Sequence, residues 1–140
     1  MRDNLILRVI AKALIPVILL YAFYVQFHGD FSPGGGFQAG VIFSTAILLY
    51  ALVFGMDKAA DVLSDRVLIA LASGGVLLYA GVGVASLLLG GNYLDYNVLA
   101  DDPVAGQHIG IILIELGVGM TVASTMLLIF FTFARRMVIR

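Results

Sequence analysis

Glu115 is the one charge in a long apolar run near the C-terminal end of the chain. It follows Ile109 by six residues, about 9 Å along a helix axis, which puts it in the outer part of a membrane span rather than at its centre. An ionisable side chain there is costly and is a functional candidate by default. His108 lies seven residues earlier, two turns away on the same helical face. The pair could relay a proton or pass a cation inward. The alternative is a single buried carboxyl hydrogen-bonded to a neighbouring helix. Lys12 is the third ionisable candidate. It sits at the rim of the first apolar run, where it reads as a snorkelling anchor, with membership of a relay as the alternative.

A second feature is His28-Gly-Asp-Phe-Ser-Pro-Gly-Gly-Gly-Phe-Gln38, the long polar and glycine-rich break in the first half of the chain. Pro33 stiffens its entry and removes a donor. Gly34, Gly35 and Gly36 leave no side chain to hold another backbone away. The run lacks the Lys-Ser/Thr of a phosphate loop and the G-x-G-x-x-G spacing of a dinucleotide site. His28 and Asp30 are too little for an active site, with neither an activated nucleophile nor paired carboxylates. The stretch reads as a tight outer cap, or as a partly re-entrant turn that protein must cover, since lipid-exposed irregular backbone is not tolerated at depth.

These residues are positioned by apolar spans. The chain has 140 residues, 61% hydrophobic and 12% charged, with mean hydropathy +1.06. A soluble domain carries roughly 25% charged residues, so the expected solvent is the bilayer and the expected unit is one all-α integral membrane domain over residues 1–140. Four transmembrane helices are expected at about 9–27, 37–54, 67–89 and 109–133, each near the roughly 20 residues that span a hydrocarbon core. The first is expected to be retained: basic residues precede it, but no small-x-small cleavage pattern follows. Tyr21, Tyr24 and His28 share a face near its far end and read as an interfacial aromatic belt, with a proton path as the alternative. Pro16 predicts a mild kink.

Between the spans, Gly55 is a stop signal, the polar stretch 56–66 a connector, and Ser64 a cap for the third helix. Ala70 with Gly74, and Gly81 with Ala85, are small residues at four-residue spacing that predict close approach of a neighbouring helix. Asp102 before Pro103 reads as cap and first helical residue, so the fourth helix begins outside the bilayer. The connector before it carries Asp95, Asp101 and Asp102 and no basic residue. All eight Lys and Arg fall in the two termini and the 56–66 connector. The positive-inside rule therefore predicts cytoplasmic termini, with the glycine-rich loop between helices 1 and 2 facing outward. A net charge of −1 gives no hint of nucleic acid, and the absence of cysteine excludes disulfides and thiolate metal sites. With two histidines, no resident metal or other cofactor is expected.

The string from His28 through Pro33, Gly34, Gly35, Gly36, Phe37 and Gln38 to Gly40 resembles the signature of the MnhB/MrpB family, the B-type components of bacterial multisubunit cation/proton antiporters. Size, the four spans and the basic ends extend the resemblance over the whole chain. It implies a small subunit in the bacterial cytoplasmic membrane, surrounded by lipid. Its companions would be large antiporter-like and small hydrophobic subunits, in a complex that exchanges cytoplasmic Na+ for external H+. The implied class is a secondary transporter component, not an enzyme. His28, Pro33, Gly34, Gly35, Gly36, Phe37 and Gln38 carry over as determinants of assembly or loop shape; Glu115, His108 and Lys12 come from the residues alone. Two other readings stay open: a membrane-arm subunit of a redox-driven, hydrogenase-type ion pump, and a scaffold without ion contact.

Overall fold

The computed structural model describes residues 4–29 and 34–138, with side chains through Arg135. The described chain is helical: α1 (Leu5–Phe27), α2 (Gly36–Phe54), α3 (Met56–Val62), α4 (Asp65–Leu88) and α5 (Pro103–Val138), with a 3₁₀ turn at Tyr96–Leu99 before α5. By length and apolarity α1, α2, α4 and α5 are four candidate membrane spans.

Local chemistry sets the helix ends. The Asn4 side chain accepts from the Leu7 N–H at 3.2 Å, and Ser64 accepts from Val67 at 3.4 Å. The Asp102 carboxylate accepts from Val104 and Ala105, both at 3.3 Å. Each satisfies donors that a first turn leaves open. Gly55 ends α2 at φ 108°. Gly90, at φ 88°, ends α4 while Gly90 and Gly91 donate to the Leu87 and Ser86 carbonyls, the paired bonds of a Schellman stop. Of the four spans, α2 is the one that begins with no side-chain cap: its cap position is Gly35, at φ 148°.

The spans form a row rather than a square bundle. α5 packs against both α2 and α4, and α1 packs chiefly on α2, giving the order α1–α2–α5–α4. Small residues let the inner helices approach. On α2, a Cβ at Gly40 would stand 2.7 Å from the Gly119 carbonyl oxygen of α5. On α4, a Cβ at Gly75 would stand 2.5 Å from the Gly117 carbonyl, and one at Gly117 would stand 2.8 Å from the Gly75 carbonyl. The α4–α5 crossing therefore runs through Gly75 and Gly117, not through the expected pairs. Gly81 has nothing within 4 Å of its Cβ position, and Gly74 meets only the Met120 methyl at 3.9 Å. The buried residues of α4 are Leu68, Gly75, Val82, Gly83 and Ser86, a seven-residue rhythm that turns Gly74 and Gly81 off the contact face.

The polar stretch expected as a plain connector contains α3. Asp57 stands in its first turn, where a helix favours negative charge, and Ala59 is fully buried. Ala59 joins Ala51, Leu68, Leu127 and Phe131 in the core cluster, at the end of the row where α2 finishes and α4 begins. Arg135 of α5 pairs in a two-pronged contact with Asp65 of α4 at the same end. The buried hydroxyls of Ser44, Ser86 and Ser124 donate to carbonyls three or four residues back in their own helices, as apolar surroundings require.

Candidate functional site

The glycine-rich stretch and Glu115 meet. α2 lies on α5 through Gly36 and Gly40, one turn apart. A Cβ at Gly36 would stand 2.8 Å from the Glu115 carbonyl carbon and 2.9 Å from its Cα, so the opening residue of α2 rests directly on the Glu115 backbone. The Glu115 side chain then runs beneath Gly29 and Gly35. A Cβ at Gly29 would overlap both carboxylate oxygens, and one at Gly35 would come within 2.8 Å of Oε1. Backbone on each side of the loop thus forms a roof over the carboxylate that any side chain at these two positions would push away.

One turn along α5, the space of an absent side chain at Gly119 is taken by Gln26 of α1, whose Oε1 lies 2.5 Å from that Cβ position, with the Gly36 carbonyl at 3.3 Å. Three elements therefore meet on this part of α5: Gln26 of α1 against Gly119, Gly29 beyond α1 and Gly35 ahead of α2 against the carboxylate, and Gly36 of α2 on the Glu115 backbone. The carboxylate sits at the N-terminal end of α2, where open amide donors and the helix dipole favour negative charge. It occupies the place of the side-chain cap that α2 lacks. Chemically this is a carboxylate held at a joint between α5 and the backbone on either side of the loop.

Depth follows from the helix rise. Glu115 lies 20 residues before Arg135 on α5, about 30 Å at 1.5 Å per residue, close to the hydrocarbon thickness. α5 starts at Pro103, where the Asp102–Pro103 pair predicts it.

The other candidates lie apart. His108 is exposed, two turns nearer the start of α5, where Gln107 donates to Asn97 at 2.9 Å and ties α5 to the 3₁₀ turn. His28 continues an aromatic stack: Tyr21 on Tyr24 at 6.3 Å, and Tyr24 on the imidazole at 4.1 Å. Its Nδ1 is 3.1 Å from the Tyr24 carbonyl. Lys12 is exposed on α1, 14 residues before Gln26 and so about 21 Å away along the axis; it belongs to the opposite end of the row. Of the loop residues, Gly35 and Gly36 are buried, Gly34 is half-buried, and Phe37 and Gln38 are exposed. Pro33 lies outside the described residues.

Gln26 and Gly119 do not stand out in the sequence, and Gly29 and Gly40 stand there only as members of the quoted string. Gly40 carries a signal, because Gly36-x-x-x-Gly40 is the small-residue spacing of helices in close contact. Reading Gly36 as loop hides it. Nothing in the sequence pairs Gly29 with Glu115. Among the described residues, no three His, Cys, Asp or Glu side chains gather as a metal site.

Residues 6–128 match the profile of a family described as a domain related to the MnhB subunit of Na+/H+ antiporter. The chain is 30% identical over 133 residues to the B-type subunit of a Na+/H+ antiporter of Bacillus subtilis (strain 168), covering 88% of this chain and 92% of that protein. It is 32% identical over 130 residues to a putative antiporter subunit mnhB2 of Staphylococcus aureus (strain Newman), covering 89% and 90%.

Proposed function

The chain belongs to the MnhB family, and on that premise we propose that it is the B-type subunit of a multisubunit Na+/H+ antiporter, with Glu115 at its point of contact with the ion route. The complex exchanges cytoplasmic Na+ for external H+ across a bacterial cytoplasmic membrane. The chain forms a single domain with cytoplasmic termini, and the joint between the loop and Glu115 faces outward. Four apolar spans, the names of the relatives and the one-sided distribution of Lys and Arg support this reading.

The observation that carries the role of Glu115 is the glycine roof. A carboxyl kept only for packing could lie against any side chain. Here Gly29 and Gly35 both leave the space for its oxygens. The glycines hold the loop on the carboxylate, so assembly and ion handling meet at one place. His108, two turns further out, is the next protonatable group along α5.

Glu115→Gln keeps the shape and removes the charge. Everted vesicles carrying the variant should contain a normal amount of assembled complex and show severely reduced Na+/H+ antiport. Unchanged antiport would refute the ion role and leave Glu115 as a structural clasp. A mild-detergent pull-down of the tagged chain, read by mass spectrometry, tests the assignment to an antiporter. Large antiporter-like companions are expected; recovery of iron–sulfur or nickel–iron subunits would overturn it.

A further inference from the structure

At the end of the row opposite Glu115, three cations surround one cavity. Arg8 and Lys12, one turn apart on α1, and Lys58 on α3 line a space of about 350 Å³ together with Tyr50 and Phe54 of α2. No acidic side chain is among the described residues lining it. Like charges brought this close repel one another and call for an anion. The Arg8 guanidinium lies 5.8 Å over the Phe54 ring, a contact that favours one of its orientations.

We infer that this cavity is a binding site for the phosphate-bearing headgroup of an anionic phospholipid. Charge selects an anion, and two further features select a lipid over a free ion. Lys12 lies about 10 Å along α1 from Leu5, at the depth where headgroup gives way to hydrocarbon, and Tyr50 supplies an aromatic of the kind found at that boundary. The floor of the cavity is apolar, made by Ile15 and Pro16. Beyond Pro16 the same side of α1 carries Leu20 and Phe23, both exposed, a path an acyl chain can follow. Pro16 also has no N–H for the Lys12 carbonyl, leaving an acceptor available to a headgroup hydroxyl. Basic pockets between membrane helices bind phosphate headgroups on these terms.

The test is photo-cross-linking in membranes that contain the assembled complex, using phosphatidylglycerol or phosphatidylcholine with a diazirine in the acyl chain. The tagged chain is recovered and its labelled peptides are mapped. Phosphatidylglycerol should label residues 12–23 in clear preference to phosphatidylcholine. Labelling should fall roughly fivefold for each cation removed in Lys12→Gln and Lys58→Gln, and Lys12→Arg should restore it. Equal labelling by the two lipids would overturn the inference. So would displacement by excess inorganic phosphate, which would mark a free-anion site. Labelling that emerges only after the chain is separated from its companions would mean that an acidic segment of a companion chain fills the cavity, and would overturn it too. Should both glutamine variants fail to accumulate, the ratio of the two lipids on the unaltered chain decides.

Discussion

Gly36→Ala tests the joint most directly. Its Cβ would lie 2.8 Å from the Glu115 carbonyl carbon and 2.9 Å from Cα, against an ordinary carbon–carbon contact of about 3.5–4.0 Å. The obstacle is helix backbone and has no rotamer to escape into, so α2 and α5 must separate by about 1 Å. Overpacking of this kind costs ~1–3 kcal/mol, about 5- to 150-fold in the folded population. The same displacement lifts Gly35 off the carboxylate, so antiport should fall further than assembly does. Gly81→Ala is the matched control. Its Cβ meets nothing within 4 Å, and alanine is intrinsically the better helix former by ~1 kcal/mol. Thermal ramps of the detergent-solubilised complex, followed by size-exclusion chromatography, read both variants. Gly36→Ala should melt earlier than the unaltered complex and Gly81→Ala at or above it. Identical melting of the two would refute the proposed helix contact, because only one of them places a new atom inside a neighbouring backbone.

Other sites give smaller, separable effects. Ser64→Ala removes the α4 cap and should cost about 0.5–1 kcal/mol, the low end being set by the long 3.4 Å bond; a modest fall in melting temperature checks it. Asp65→Asn breaks the pair with Arg135, but both side chains are nearly half exposed, so the loss should stay under about 1 kcal/mol and shrink in high salt. Tyr96, in the connector outside the spans, has its phenol raised above the ordinary 10.0, by burial first and then by the nearby Tyr79. The fold thus favours the neutral phenol. Its packing over Gly110 should be intact below pH 10 and weaken as the pH climbs past that value toward the raised one. Hydrogen exchange of residues 96–110 should show this alkaline loosening, and Tyr96→Phe should abolish it.

Four apolar spans and most of their ends are legible in the sequence because each rests on local chemistry: Ser64 and Asp102 as caps, Gly55 as a stop. The crossing of α4 and α5 is not. Ala70, Gly74, Gly75, Gly81, Gly83 and Ala85 offer several small-residue spacings, and only the neighbour's position selects Gly75. Uniformly apolar spans carry no polar face to break that tie. α3 escapes notice for a related reason: its seven residues read as a charged connector, and only the buried face at Ala59 shows that it belongs to the core. For the site, both halves are visible and their union is not. Glu115 stands out by cost and the loop by composition, but what joins them is the absence of atoms at Gly29, Gly35 and Gly36, and a sequence does not state what fills an absent side chain's place.

The row architecture explains why such a joint is needed. α1 buries Ala11, Ala22 and Val25, leaves many of its apolar residues exposed and packs chiefly on α2, so its contact with α5 is slight. In water the hydrophobic effect would close such a row into a bundle. In lipid that drive is absent, and close packing with interhelical polar contacts must hold helices together. Contacts described for α1 and the residues just beyond it include Phe23 edge-on to Phe43 at 6.0 Å, Gln26 against Gly119, and Gly29 against the Glu115 carboxylate. Two of these three are polar groups seated in space that a glycine leaves open. Gly119→Leu should therefore expel Gln26 and free the far end of α1 while α4 and α5 stay paired through Gly75 and Gly117. An engineered cysteine pair across Phe23 and Phe43 would report it, cross-linking readily in the otherwise unaltered chain and poorly in Gly119→Leu. Equal cross-linking would mean that α1 is held by its contacts along α2 alone, and that the polar joint at Glu115 is not what anchors it.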